Sequence, residues 1–295
     1  MKQLTAYLRE ALGVQYGDDE LRTVVAALCL EGLGVSEHVF FLNETVTLTA
    51  EQRRWLNDAV RRLQKGEPLQ YVLGTARFAG HTLKVDGRVL IPRPETAGLI
   101  EKAMECIGQS RSQKECSSTQ RTCVLDVGTG SGCIAIALAA SMPESLSVTA
   151  MDVSESALEV ALENARAAGV VMTFIRADMT DIHSTTKLLP QGFAGIVSNP
   201  PYVRRTERTM MEPRVTEWEP EAALFVPDDD PLVCYRAIAQ LGQTEILQAG
   251  GWIAVETNSS FAYETATLFT LMGYNDIHIS EDLYGLPRYV TCWKS

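Results

Sequence analysis

The sequence predicts an α/β fold: a Rossmann-like, doubly wound domain preceded by a small all-helical domain and a β-hairpin linker. Three observations carry this. Short apolar runs alternate with helical patterns from residue 123 onward, a glycine-rich turn at 128–132 follows the first run, and residues 1–66 have helical spacing. The expected divisions are a helical domain over 1–73, a hairpin linker over 74–96 and the α/β domain over 97–295.

In the N-terminal part, Leu4, Leu8, Ala11 and Leu12 recur at helical spacing, as do Leu21, Val24, Val25, Leu28 and Cys29. Thr49 and Gln52 form a capping-box pattern opening a helix whose Trp55, Ala59, Val60 and Leu63 share a face, and Gly66 supplies its stop. Residues 78–91 read as a hairpin turning at Asp86-Gly87, followed by the extended Ile91-Pro92-Arg93-Pro94-Glu95-Thr96 and a helix over 97–106. The polar stretch 108–121 reads as a mobile loop.

The α/β pattern then follows in order. Strands are expected over 123–127, 147–151, 171–176, 193–198 and 251–256, with helices over 132–140, 154–168, 232–248 and 261–272. Ser154 and Gly169 cap the second of these helices, and the runs 277–279 and 289–293 close the chain as an antiparallel hairpin.

Bulk properties exclude several classes. With 295 residues, 46% hydrophobic and 21% charged, the chain reads as soluble and globular. A net charge of −11 argues against affinity built on neutralising phosphates, so no direct nucleic-acid binding is expected. Seven cysteines without Cys-x-x-Cys spacing and four scattered histidines argue against a metal site and for a reduced, cytoplasmic chain. No apolar run approaches a membrane span and the N-terminus lacks a signal-peptide core.

Chemistry concentrates in two motifs. Asp126-Val127-Gly128-Thr129-Gly130-Ser131-Gly132 joins the first strand to its helix, with Asp152 ending the next strand, where an acid can accept both ribose hydroxyls. The glycines depart from a dinucleotide fingerprint, and an acid beside the turn suits a cation better than a phosphate, so S-adenosylmethionine fits. Asp178 is placed to accept from the adenine amine and Met179 to lie over the ring, although Met179 reads equally as core. The second motif is Asn199-Pro200-Pro201-Tyr202, ending the strand 193–198. Its prolines stiffen a rim of free acceptors, so Asn199 Oδ1 and the Pro200 carbonyl can grip an NH2 group whose lone pair then faces the methyl donor. Tyr202 would wall the planar substrate, and no general base is needed.

Together with Glu67-Pro68-Leu69-Gln70-Tyr71-Val72-Leu73-Gly74, the Pro92 to Thr96 element and Glu219-Pro220-Glu221-Ala222-Ala223-Leu224, these motifs resemble the PrmC/HemK glutamine methyltransferases over nearly the whole chain. The resemblance implies a class I S-adenosylmethionine-dependent methyltransferase that acts on the glutamine of the Gly-Gly-Gln motif in class I peptide-chain release factors. It implies cofactor contacts from residues 128–132, Asp152 and Asn199, glutamine contacts from residues 199–202, and a helical domain that helps hold the release factor. Ala97 and the Leu286-Pro287 pair before Arg288 depart from the family pattern. A ribosomal-protein glutamine, a nucleic-acid adenine amine and a silent cofactor-binding module remain as rival readings.

Overall fold

Helical spacing in the first third of the chain becomes α1 (Lys2–Leu12), α2 (Asp18–Ala27), α3 (Glu37–Phe41), α4 (Ala50–Gln64) and α5 (Leu69–Leu73). The computed structural model describes residues 1–113 and 121–295. These form two compact units, Met1–Ala76 with Glu212–Trp218, and Arg77–Met211 with Glu219–Ser295. In the first, the i, i+3, i+4 stripes meet in one core that includes Leu8, Leu12, Val25, Leu28 and Leu63. The capping box forms as expected, with Gln52 N donating to Thr49 Oγ1 and Thr49 N to Gln52 Oε1. Arg214, from the distant segment of this unit, stacks over Tyr16 and pairs with Glu20.

Here the hairpin differs from the expectation. Its strands are β1 (Thr75–Phe78) and β2 (His81–Lys84), and it turns at Ala79-Gly80 rather than Asp86-Gly87. Two successive left-handed residues, φ 45° at Ala79 and 81° at Gly80, give the turn the twist that two-residue hairpins prefer. Asp86 instead accepts from the backbone and guanidinium of Arg88. The next helix, α6 (Thr96–Gln113), runs well beyond 106, because Ile107 continues its buried stripe and Arg111 ties the last turn to Thr122 and the Ser145 carbonyl. Part of the expected loop is therefore helix, and the remainder at 114–120 lies outside the described residues.

The α/β core follows as β3 (Thr122–Val127), α7 (Cys133–Ser141), β4 (Leu146–Asp152), α8 (Glu155–Ala168), β5 (Thr173–Arg176), α9 (Ile182–Leu188) and β6 (Phe193–Ser198). A short excursion holds β7 (Val203–Arg204), α10 (Pro213–Thr216) of the first unit, α11 (Glu221–Leu224) and β8 (Phe225–Val226). The chain ends with α12 (Val233–Gln243), β9 (Leu247–Glu256), α13 (Ala262–Leu271), β10 (Tyr274–Glu281) and β11 (Pro287–Lys294). Helix α12 stops earlier than its apolar pattern suggests. Gly250, at φ 68°, lets β9 begin at Leu247 with a register shift opposite β6.

Seven strands pair in the order β10-β11-β9-β6-β3-β4-β5. All are parallel except β11, which runs antiparallel to both neighbours. Strand β6 is buried at every residue, as a central parallel strand covered on both faces must be. The strand order reverses between β3 and β6, so the carboxyl ends of β3, β4, β5, β6 and β9 form one crest above a switch point. At the heart of the sheet Gly195 faces Trp252, and a β-carbon on Gly195 would come within 2.1 Å of the indole. Gly195→Ala is therefore expected to destabilise the protein by about 1–3 kcal/mol, read as a lower denaturant midpoint with an unchanged slope.

Candidate active site

The glycine turn is built by bonds that only a bent main chain can make. Gly128 N and Thr129 N both donate to the Met151 carbonyl, Gly130 N donates to Asp152 Oδ2, and Gly132 N returns to the Thr129 carbonyl. Gly128, Gly130 and Gly132 take φ of 74°, 54° and 82°. Beyond Gly132 the chain enters α7 so close to α8 that a β-carbon there would lie 3.1 Å from Ala161. At Gly128 the main chain runs past the Met179 methyl, which lies 3.6 Å from where a β-carbon would be.

Three acids stand at or close to strand ends around this turn. Asp126 is fully buried; its Oδ2 accepts from the Thr129 hydroxyl at 2.7 Å, while Oδ1 has no partner among the described residues. Burial pushes its pKa up to about 7, the Thr129 hydroxyl opposing and the Asp152 charge adding to the rise. Asp152 is held by two backbone amides, Gly130 N on Oδ2 and Ser154 N on Oδ1, each at 2.9 Å, and burial outweighs them to raise its pKa. Asp178 is exposed and accepts from the amide and hydroxyl of Thr180.

On the other side of the switch point, the Ser198 hydroxyl donates to the Val127 carbonyl at 2.6 Å and holds the ends of β6 and β3 together. The next residue, Asn199, donates its Nδ2 to Thr96 Oγ1 at 3.2 Å. That leaves Oδ1 to accept from a ligand. The Tyr202 hydroxyl donates to Glu256 Oε1 at 3.3 Å. An ion pair from the half-buried Arg93 Nη2 to the buried Glu219 Oε1 at 2.6 Å, with Ile91 N donating to the other oxygen, fastens the Pro92 to Thr96 segment to the chain before α11.

These pieces enclose one cavity within the second unit. Its wall includes Gly128, Thr129, Gly130, Ser131, Asp152, Asp178, Met179, Asn199 and Pro201, all singled out in the sequence. Asp126, Gly132, Pro200 and Tyr202 stand behind that wall rather than in it: Asp126 beneath Thr129, Gly132 in the helix packing, Pro200 buried, and Tyr202 turned toward Glu256. Residues without an expected site role complete the wall, among them Arg88, Leu90 and Ala157, and, from the two motifs that carried the family resemblance, Pro92, Arg93, Thr96, Pro220 and Ala223. Glu256 was also missed, although an acid ending the apolar run Trp252-Ile253-Ala254-Val255 repeats the pattern of Asp126 and Asp152. Among the described residues no cluster of His, Cys, Asp or Glu could hold a metal ion.

Comparison with known proteins gives the family and the fold. The model of the PrmC N-terminal domain matches residues 1–74 and that of the methyltransferase small domain matches residues 113–216. A release factor glutamine methyltransferase of Bacteroides thetaiotaomicron is 39% identical over 291 residues, 99% of each chain. One from Chlorobaculum tepidum is 36% identical over 93% of this chain and 90% of its own. Among solved structures, a methyltransferase from Pyrococcus furiosus matches with a TM-score of 0.50 and 15% identity over 81% of this chain and 99% of its own, which speaks for the fold alone.

The residues present fit a cationic nucleoside: a left-handed glycine turn open to close approach, an oriented carboxylate at Asp152, and an unpaired buried oxygen on Asp126. The sign of the Asp126 shift is testable on the protein alone. A carboxyl raised in the folded state ionises first in the unfolded chain, so it costs stability increasingly as pH rises from about 4 toward its folded value of about 7. Asp126→Asn removes that cost, and its Tm relative to the parent is expected to be higher at pH 8 than at pH 5.

Proposed function

The chain belongs to the release factor glutamine methyltransferase family, and from that premise we propose that it methylates the side-chain amide nitrogen of the glutamine in the Gly-Gly-Gln motif of class I peptide-chain release factors. S-adenosylmethionine is the donor and supplies an electrophilic methyl on a sulfonium. The observation that carries the reading is the Asn199 amide, whose nitrogen is bound by Thr96 and whose oxygen is left for the acceptor.

Each residue has a task that follows from its surroundings. Asp152 accepts the ribose hydroxyls with the lone pairs that Gly130 and Ser154 leave unused. Asp178 accepts from the adenine amine and Met179 covers the ring, while the backbone at Gly128, Thr129, Gly130 and Ser131 lines the cofactor's path. Asp126, behind Thr129, is an acid whose ionised form a bound cation would favour against the burial that raises its pKa. Asn199 Oδ1 and the Pro200 carbonyl accept the two N–H groups of the glutamine. An amide nitrogen is a poor nucleophile, and two carbonyl dipoles aimed at it stabilise the positive charge that develops as it attacks. Pro201 shapes the cavity wall beside them. Tyr202, anchored on Glu256, holds the turn rigid. The proton leaves after transfer, so no base is required.

The helical unit, which the PrmC N-terminal model matches, serves to hold the release factor. We place the protein in the cytoplasm: the described cysteines are free thiols, and no described helix is long and apolar enough to cross a membrane. The net charge of −11 disfavours a nucleic-acid adenine as acceptor.

Incubation with labelled donor and either a release factor or a DNA duplex, with the label located by mass spectrometry, is expected to place it on the Gly-Gly-Gln glutamine; label on adenine alone sinks the proposal. Asn199→Ala is expected to cost roughly 1–3 kcal/mol in transition-state stabilisation, and unchanged turnover would refute its role. Asp152→Ala is expected to weaken donor binding chiefly, with calorimetry as the check.

A further inference from the structure

On the buried stripe of α8, between Ala161 and Ala165, stands a polar residue, Asn164, which is 2% exposed. An asparagine in mid-helix costs helix propensity, and its amide loses its water partners on burial, a cost that only hydrogen bonds within the protein offset. Asn164 makes three. Its Oδ1 accepts from Lys84 N at 2.6 Å, and its Nδ2 donates to the Lys84 carbonyl at 3.0 Å and to the Ser131 carbonyl at 2.9 Å. The partners themselves fix the orientation of the amide. A backbone N–H can only donate, so the oxygen must face Lys84 N; carbonyls can only accept, so they take both hydrogens.

Those partners lead to two parts of the cavity wall. Ser131 belongs to the glycine turn and lines the cavity itself, while Lys84 ends β2 and the chain that follows supplies Arg88, Val89, Leu90, Pro92 and Arg93. The peptide between Ser131 and Gly132 is gripped at both ends, its carbonyl by Asn164 and its N–H by the Thr129 carbonyl. One helical turn before Asn164, Ala161 packs against Gly132, so α8 sets where the turn lies and Asn164 sets which way its last peptide faces. Two ion pairs also join α8 to this stretch, Lys84 with Glu163 and Arg88 with Glu159, but both are open to solvent and such pairs contribute little. We propose that Asn164 is a positioning residue for the methyl donor: by donating to Ser131 and clasping Lys84 it holds the glycine turn and the segment after β2 at the spacing that admits S-adenosylmethionine. Without it the carbonyl of Ser131, a residue 2% exposed, loses its partner where water has little access, and the peptide must turn to find another. The proposal rests on S-adenosylmethionine as the donor and is independent of the acceptor.

The test is calorimetric titration of the full-length protein with S-adenosylmethionine, alongside steady-state kinetics with a release factor. Asn164→Leu, which keeps the volume and loses every hydrogen bond, is expected to raise the Kd and the donor KM about tenfold or more, while kcat at saturating donor and the KM for the release factor change by no more than about twofold. Asn164→Asp keeps an oxygen for Lys84 N but has no hydrogens for the two carbonyls, and is expected to lose at least as much. Ile238→Ala, in the buried face of α12, serves as the control: it is expected to lower the Tm and leave the Kd within about twofold. Wild-type Kd in either Asn164 variant, or a rise in Ile238→Ala equal to that in Asn164→Leu, would overturn the assignment. Should neither Asn164 variant fold, hydrogen exchange in the wild type decides. The Lys84 amide, which is not part of the cavity wall, is expected to slow several-fold more on donor saturation than the amides of β10, and equal slowing of both overturns the assignment. Donor binding without label on the release factor overturns the acceptor alone, and the Kd comparison still decides Asn164; a wild type that binds no S-adenosylmethionine overturns both.

Discussion

Parallel pairing of β3 with β4 on one side and β6 on the other is the constraint from which the site follows. Parallel strands in register end level with one another, so Gly128, Asp152 and Asn199 reach the same crest although they come from three separate stretches of chain. The Ser198 hydroxyl on the Val127 carbonyl then closes the gap at the switch point, where the diverging helices would otherwise leave the two strand ends unsupported. Gly195 belongs to the same constraint. The indole of Trp252 fills the space its absent side chain vacates on β6, four residues before Asn199.

The crest is also a place where acids are held against their preference for water. Asp126, Asp152 and Glu256 each have a pKa raised chiefly by burial. In a protein selected only for stability such groups would be replaced by apolar ones. Asp152 lines the cavity and Asp126 stands behind Thr129, so a bound cation would draw both toward the ionised form that burial disfavours.

Much of this was legible in the sequence. The run of buried strands, the glycine turn and the acid ending β4 are local patterns, and local patterns survive folding: the capping box at Thr49 and the cap at Ser154 formed as read. The hairpin turn was misplaced because an alanine beside Gly80 does not advertise a left-handed conformation, whereas Asp86-Gly87 does. The loop expected after Gly108 was partly helix because Arg111 finds partners more than ten and thirty residues away, which composition cannot reveal. The same limit applies at the site. Residues before and after the α/β core that complete the wall meet only in three dimensions, and Tyr202 was read as a wall because nothing local shows Glu256 claiming its hydroxyl.

The ion pair between Arg93 and Glu219 joins residues 126 positions apart. A chain emerging from the ribosome therefore has its glycine turn, Asp152 and Asn199 in place before the segment that must face them has been made. Strands β3 to β6 all precede residue 219, but the cavity gains its opposite wall only when Glu219 arrives. Competence to bind is thus acquired late in synthesis. A chain cut short before residue 219 would carry every recognisable motif of the cofactor half and still have no enclosed site.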